Sequence, residues 1–254
     1  MLLKGKKALI LGLANNKSIA FGIAEAFKAQ GARLAFNYAG DAIKKRVEPL
    51  SEELGGEFTF PCDVSDDAQI EAAAALVREQ WGTVDILVHS IAFANREDLQ
   101  GRYLDTSREG FRLALDISAY SLTGVCRAFE PLLERGASVL TMTYHGSQQI
   151  IPGYNVMGVA KAALEASMRY IAWDLGPKGV RINAISAGPI KTLASSAVAS
   201  LKGFFARIEE ASILHRNVTP HDVGGAAVYL ASDLASAVSG QILYVDSGFH
   251  VVGV

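Results

Sequence analysis

The chain has 254 residues and a mass of 27.0 kDa, half of them apolar and a fifth charged, which suits one α/β domain with a sizeable core. Its 24 lysines and arginines against 26 acids leave a formal charge of -2. That balance provides no polyanion-binding surplus, so neither nucleic acid nor a membrane surface is the expected partner.

Cys62 and Cys126 stand far apart; no disulfide framework is expected, and a reducing cytoplasm is the expected home. The histidines show no clustered ligand spacing, so no metal is expected. The sequence carries no signal-peptide pattern and no apolar run of about 18 residues.

In chain order, short apolar runs at 8–13, 33–36, 57–61, 84–88, 138–143, 180–185 and 241–245 alternate with helical segments. These helical segments are 19–30, 42–54, 66–80, 108–133, 154–175 and 221–230. Several runs are apolar on consecutive positions, as strands covered on both faces require. Gly31, Gly55 and Gly82 follow three helical segments, where a left-handed cap favours glycine. The rhythm has no linker or repeat. Right-handed crossovers then predict one doubly wound, Rossmann-like α/β domain over 1–254, a parallel sheet of about seven strands with helices on both faces. Ligands of such sheets lie beyond the carboxyl ends of the strands.

After the first strand come Gly12, then Ser18, Ile19 and Gly22. Gly12 permits a tight turn, the helix N-terminus offers unpaired N–H groups to a pyrophosphate, and Gly22 is expected to bring that helix close to the sheet. The spacing is not G-x-G-x-x-G, so a serine-capped turn and a dinucleotide cradle both remain open. Asp41, with no basic residue before Lys44, suits ribose hydroxyls rather than a 2′-phosphate, or else a helix cap. Asp63, between Cys62 and Val64, suits an adenine amino group or a cap equally. Ser90, Ile91, Ala92 and Phe93 follow the fourth strand, where small residues admit a cofactor or simply make a tight loop.

The fifth strand leads into Thr143-Tyr144-His145-Gly146, then Tyr154 and Lys161. Seven helical residues cover two turns, which predicts that Tyr154 and Lys161 share a face. The ammonium favours negative charge developing at the phenol, making it the better donor and acid. Past the sixth strand, Gly188-Pro189-Ile190-Lys191-Thr192 suits a nicotinamide carboxamide or a plain strand exit. Residues 193–212, rich in Ala, Ser and Leu with Phe204 and Phe205, suit an apolar lid or a surface helix pair.

Together, Gly12-x5-Ser18-Ile19-Ala20-x-Gly22, Cys62-Asp63-Val64, His89 to Phe93, Tyr144, Tyr154-x6-Lys161, Asn183 to Thr192 and Val245-Asp246-Ser247-Gly248 carry a resemblance. The sequence resembles the short-chain dehydrogenase/reductase superfamily over essentially its whole length, and within it the bacterial enoyl-[acyl-carrier-protein] reductases. Ser90-Ile91-Ala92 stands where ordinary members carry Asn-Asn-Ala-Gly. Thr141 holds the place of their catalytic serine, with Tyr144 ten residues before Tyr154. Ala92 replaces the glycine of many relatives, and Ala39 the glutamine of some.

The resemblance implies conjugate reduction of a trans-2-enoyl thioester of acyl carrier protein by NADH. Tyr154 then meets the thioester oxygen, Lys161 the nicotinamide ribose, and Tyr144 the acyl group. The implied NADH set is Gly12, Ser18, Ile19, Asp63, Val64, Ser90, Ile91, Ala92, Thr143, Lys161, Ile190 and Thr192. An acyl pocket is implied from Phe93, Tyr144, Tyr154, Met157, Ala194 and Phe204. Lys191, Lys202 and Arg207 are candidates to meet the acidic carrier protein, and a homotetramer is implied, with residues 249–254 compatible with an interface. The alternatives are a carbonyl (3-ketoacyl) reductase of the same superfamily and a non-catalytic dinucleotide sensor.

Overall fold

A computed structural model describes residues 1–190 and 201–253, apart from the side chains of 201, 202 and 204. The first half runs β1 (Lys7–Leu11), α1 (Ile19–Ala29), β2 (Arg33–Tyr38), α2 (Asp41–Leu54), β3 (Gly56–Pro61), α3 (Asp67–Trp81) and β4 (Val84–His89). The second runs α4 (Arg108–Leu115), α5 (Ser121–Phe129), β5 (Leu133–Thr143), α6 (Val156–Leu175), β6 (Arg181–Ala187), α7 (Leu201–Ala211), α8 (Pro220–Ala231) and β7 (Ile242–Val245). Among the described residues seven strands form one parallel sheet in the order β3-β2-β1-β4-β5-β6-β7. The order reverses between β1 and β4, where an open α/β sheet leaves its ligand crevice.

Side chains alternate across the pleat, so each strand feeds two cores. Leu9 and Leu11 pack with Ile70 and Val77 of α3, Leu122 and Phe129 of α5, and Leu164 and Met168 of α6. Ala8 and Ile10 pack on the opposite face with Ile23 and Phe27 of α1, Val47 of α2, and Val223 and Leu230 of α8.

Four local expectations change. The helix expected over 108–133 divides into α4 and α5 around a π turn, Asp116–Tyr120, in which the Ser121 N–H donates to the Asp116 carbonyl. It ends at Phe129 because Pro131, in the 3-10 turn Glu130–Leu132, has no N–H with which to continue it. β5 begins at Leu133 rather than 138, and its pairing with β4 jumps from Val84↔Leu133 to Ile86↔Ser138. Finally, Gly22 faces α8, not the sheet. A Cβ there would lie 2.5 Å from Pro220, and one on Gly224 would lie 2.6 Å from the Gly22 carbonyl oxygen. The two glycines let α1 and α8 touch backbone to backbone.

Candidate active site

Parallel strands bring all their carboxyl ends to one edge. At the β1 exit Gly12 has φ +97°, and a Cβ there would lie 2.1 Å from the Ser90 carbonyl oxygen, so only glycine lets the ends of β1 and β4 approach this closely. The Gly12 N–H donates to Asn37 Oδ1 (2.9 Å), and Asn37 Nδ2 donates to the Cys62 carbonyl (2.9 Å). Buried Asn37 thus ties the exits of β1, β2 and β3, a role the sequence reading passed over. Its signal was an amide inside the apolar run Leu34-Ala35-Phe36-Asn37.

Ser18 caps α1: its Oγ accepts from the Phe21 N–H (3.2 Å) and donates to the Asn15 carbonyl (2.7 Å). The first-turn N–H groups that follow, from Ile19 and Ala20, have no intrahelical acceptor by helix geometry. Asp41 is the first residue of α2, after Gly40 at the cap, so the cap reading of Asp41 falls. The cap reading of Asp63 falls too. Its Oδ1 accepts from the N–H and hydroxyl of Ser65 (3.0 and 2.8 Å), while Asp66 caps α3 through the Ala68 N–H. Val64 is buried in the core beside α3.

At the β4 exit His89 is fully buried. Ser121 donates its proton to the Ile117 carbonyl (2.6 Å), so His89 Nε2 carries the proton shared with Ser121 Oγ (2.8 Å). The Thr141 hydroxyl then lies between His89 Nδ1 (3.2 Å) and the His89 carbonyl (3.3 Å). Burial and the nearby Lys161 charge push the imidazole down to about 3. The threonine in the serine position is therefore locked inside the sheet.

The segment after His89 carries Ser90, Ile91 and Ala92 to Phe93, which is held by the π turn. The Phe93 N–H donates to Ser118 Oγ (2.9 Å), and Ser118 Oγ donates back to the Phe93 carbonyl (3.0 Å). The same oxygen lies 3.7 Å from Met157 Sδ. Met157 is buried in a small cluster with Leu99, Ala114, Val156 and Ala160, against which Tyr154 packs. The Phe93 ring itself is exposed.

The β5 exit carries the densest chemistry. Tyr144 and Tyr154 meet edge to face, ring centroids 4.9 Å apart at 79°. The Tyr144 hydroxyl is buried and has no hydrogen-bond partner among the described residues. Burial and Asp246 raise its pKa above the usual phenol value, and burial, Tyr144 and Glu165 raise that of Tyr154. Both phenols are therefore protonated donors at neutral pH. Tyr154 is not in the helix as expected: α6 starts at Val156, after Asn155 at φ +39° and ψ -119°, a sparsely populated positive-φ conformation of the kind that clusters at functional sites. Its ring nests over glycine, since a Cβ on Gly146 would lie 2.6 Å from Tyr154 Cδ1 and one on Gly158 would lie 2.7 Å from the Gly146 carbonyl oxygen.

Lys161 is 5% exposed and its Nζ donates to the Met142 carbonyl (2.8 Å). Burial lowers it to about 8, against an upward pull from Glu165. The ammonium is thus anchored on β5, and the pull on the Tyr154 phenol is upward, not the acidifying one the spacing suggested. Thr143, expected at the cofactor, donates its hydroxyl to Glu165 Oε1 (2.6 Å). Ile190 is buried at the β6 exit. Thr192, Ala194, Lys191 and the side chains of Lys202 and Phe204 lie outside the described residues, as does 193–200 of the expected lid; 201–211 is helical.

Among the described residues no His, Cys, Asp and Glu group has the makings of a metal site, and no helix is long and apolar enough to cross a membrane. A family profile described as Enoyl-(Acyl carrier protein) reductase matches residues 12–250. Enoyl-[acyl-carrier-protein] reductase [NADH] 1 of Rhizobium meliloti (strain 1021) is 51% identical over 252 residues, 99% of this chain and 93% of that protein. The chain belongs to the enoyl-(acyl-carrier-protein) reductase family.

Solved members of the reductase family superpose throughout. The enoyl-(acyl-carrier-protein) reductase of Anaplasma phagocytophilum, crystallised in complex with NAD, is 49% identical with a TM-score of 0.97, covering 100% of this chain and 97% of that one. The Bacillus cereus reductase with NADP+ and indole naphthyridinone is 46% identical with a TM-score of 0.98, covering 100% and 99%. The family match opens at the Gly12 cradle and runs past β7, so it takes in the strand exits as well as the core.

Proposed function

We propose that the chain reduces the trans-2 double bond of an enoyl thioester carried on acyl carrier protein, using NADH. The observation that carries this reading is the Tyr144–Tyr154 pair. Two protonated phenols stand at the carboxyl edge of the sheet, one with its hydroxyl unpartnered, while Thr141, in the place of a carbonyl-reducing serine, is bound up with His89.

The residues present suit a dinucleotide. Gly12 keeps the β1–β4 crevice free of a Cβ, the α1 N-terminus presents N–H groups to a pyrophosphate, and Asp63 stands at the β3 exit for the adenine end. Gly12, Ser18, Ile19, Asp63, Val64, Ser90, Ile91, Ala92, Ile190 and Thr192 would line it, with Thr143 contributing backbone because its hydroxyl is on Glu165. NADH, when bound, supplies the hydride for the β-carbon. Tyr154 donates a hydrogen bond to the thioester oxygen as negative charge develops there, a contact that strengthens toward the transition state. Lys161 would hold the nicotinamide ribose hydroxyls and add positive potential. Tyr144 packs against the acyl group and helps protonate the α-carbon. Phe93 and Met157 would line the apolar channel, to which the family resemblance adds Ala194, Phe204 and the lid 193–212, all within one domain of 1–254.

Exposed Arg207 on α7, with Lys191 and Lys202, supplies the positive charge that an acidic carrier protein needs. Assembly as a homotetramer is supported by apolar surface on the helical face, where Tyr170 and Trp173 of α6 are 77% and 82% exposed. A cytoplasmic home fits two unpaired buried cysteines, both pushed up to about 12 by burial. NADH absorbance followed with crotonyl and longer enoyl thioesters, against a 3-ketoacyl thioester, tests the reading: turnover of the enoyl esters is expected. Oxidation of NADH by the ketoacyl ester alone overturns it.

A further inference from the structure

Glu165 is 5% exposed and sits one helical turn after Lys161 on α6, where a carboxylate needs strong compensation. Its Oε1 accepts from both the Thr143 hydroxyl and the Ser147 hydroxyl, each at 2.6 Å, the short length of charge-assisted bonds. These donors flank the turn that carries Tyr144, His145 and Gly146. One carboxylate oxygen thus pins both ends of the segment against which the Tyr154 ring is nested. Residues at i and i+4 on a helix are neighbours, and the carboxylate acts on the Lys161 ammonium through space, not as an ion pair, since the Lys161 Nζ bonds to the Met142 carbonyl.

We propose that Glu165 is a positioning residue of the reductase site, whose two hydroxyl bonds hold the Tyr144 turn in place and whose carboxylate, one helical turn from Lys161, supplies the charge opposite its ammonium. Its consequence for NADH rests on the reading of Lys161 as the ribose ligand. The titratable groups around the pair are Tyr154 before α6, Tyr144 and His145 after β5, neutral His89 on β4, and Tyr244, Asp246 and His250 from β7 onward. Glu165 acts on Lys161, Tyr154, His145 and Tyr244 alike, so it is the common charge of this cluster.

Glu165→Gln keeps an acceptor oxygen for Thr143 and Ser147 and removes only the charge. NMR titration of 13C,15N-labelled lysine, with Lys161→Arg assigning the signal, reads Lys161 without cofactor. The midpoint is expected to fall by about one unit in Glu165→Gln and to return toward the wild-type value in Glu165→Asp. The pH at which calorimetry shows NADH affinity declining is expected to fall with it. Should Glu165→Gln not fold, Glu165→Ala, which empties the space, is read in the same way. A midpoint unmoved in a folded uncharged variant overturns the proposal, whatever happens to thermal stability. Undiminished NADH binding by Lys161→Ala would instead defeat the ribose reading and leave the titration result standing, so the two failures are distinct.

Discussion

Gly146→Ala isolates the placement of one phenol. The added Cβ would stand 2.6 Å from Cδ1 and 3.0 Å from Cε1 of Tyr154, and 3.2 Å from Cδ1 of Tyr144. Carbon atoms settle at about 3.5 Å or more, so the Tyr154 ring must retreat by roughly 0.9 Å. It cannot retreat toward Tyr144, whose ring already lies edge to face with it, nor can the Gly146 carbonyl give way readily, since Gly158 is packed against it. A reacting group displaced by about 1 Å loses on the order of 10²-fold in rate, equivalent to about 2.7 kcal/mol of barrier. Gly146 lies far from the Gly12–Asn37 cradle in the chain and makes no hydrogen bond with it, so NADH affinity is expected to stay within about twofold. The assay pairs steady-state reduction of an enoyl thioester with calorimetric titration of NADH. Wild-type kcat in a variant whose crystal structure shows the ring displaced would refute the reasoning, as would equal losses in kcat and NADH affinity.

Tyr154→Phe should lower kcat by about 10²–10³ while sparing NADH affinity, whereas Lys161→Ala should lose both; calorimetry beside kinetics separates them, and a Tyr154→Phe enzyme of undiminished kcat would remove the phenol from the reaction. The Lys161 ammonium is held at about 8 in the folded chain against 10.5 outside it, so the unfolded chain binds the extra proton between those values and folding stability from this group rises with pH across that window. Lys161→Met removes this pH dependence, so the wild type is expected to gain melting temperature relative to it as pH rises from about 8; a shift the other way contradicts the burial. Over the same window wild-type NADH affinity should decline as the ammonium loses its proton. Asn37→Ala strips the partner from the Gly12 N–H and should cost about 1–3 kcal/mol in urea unfolding, together with weaker NADH binding; full retention of both would leave Asn37 a bystander.

The strands were legible because burial on both faces writes itself as consecutive apolar residues, as in Ala8-Leu9-Ile10-Leu11. The spacing predicted Tyr154 and Lys161 on one helical face, but Tyr154 precedes α6, so the basis of that expectation changed. Helical periodicity runs smoothly back through Asn155, and nothing in a residue letter reports a φ of +39°. Gly22 read as a close approach, yet its partner Pro220 lies some 200 residues on, beyond any local pattern. Asn37, Ser118 and Glu165 escaped notice for one shared reason: each is a polar residue in an apolar context whose meaning comes only from partners on other elements. Thr143 was placed at the correct strand end, while the direction of its hydroxyl was set by Glu165 on α6.

The π turn at Asp116–Tyr120 has a consequence for chain length. It holds one residue more than an α turn, so deleting a single residue would let α4 and α5 merge into one regular rod. Each residue advances a helix by about 100°, so side chains on either side of the deletion would rotate against each other by that angle. Ser118 would swing away from the backbone of Phe93 even though its identity had not changed. At this point of the fold an indel is a re-aiming device: counting residues, and not choosing them, decides which hydroxyl steadies the loop after β4.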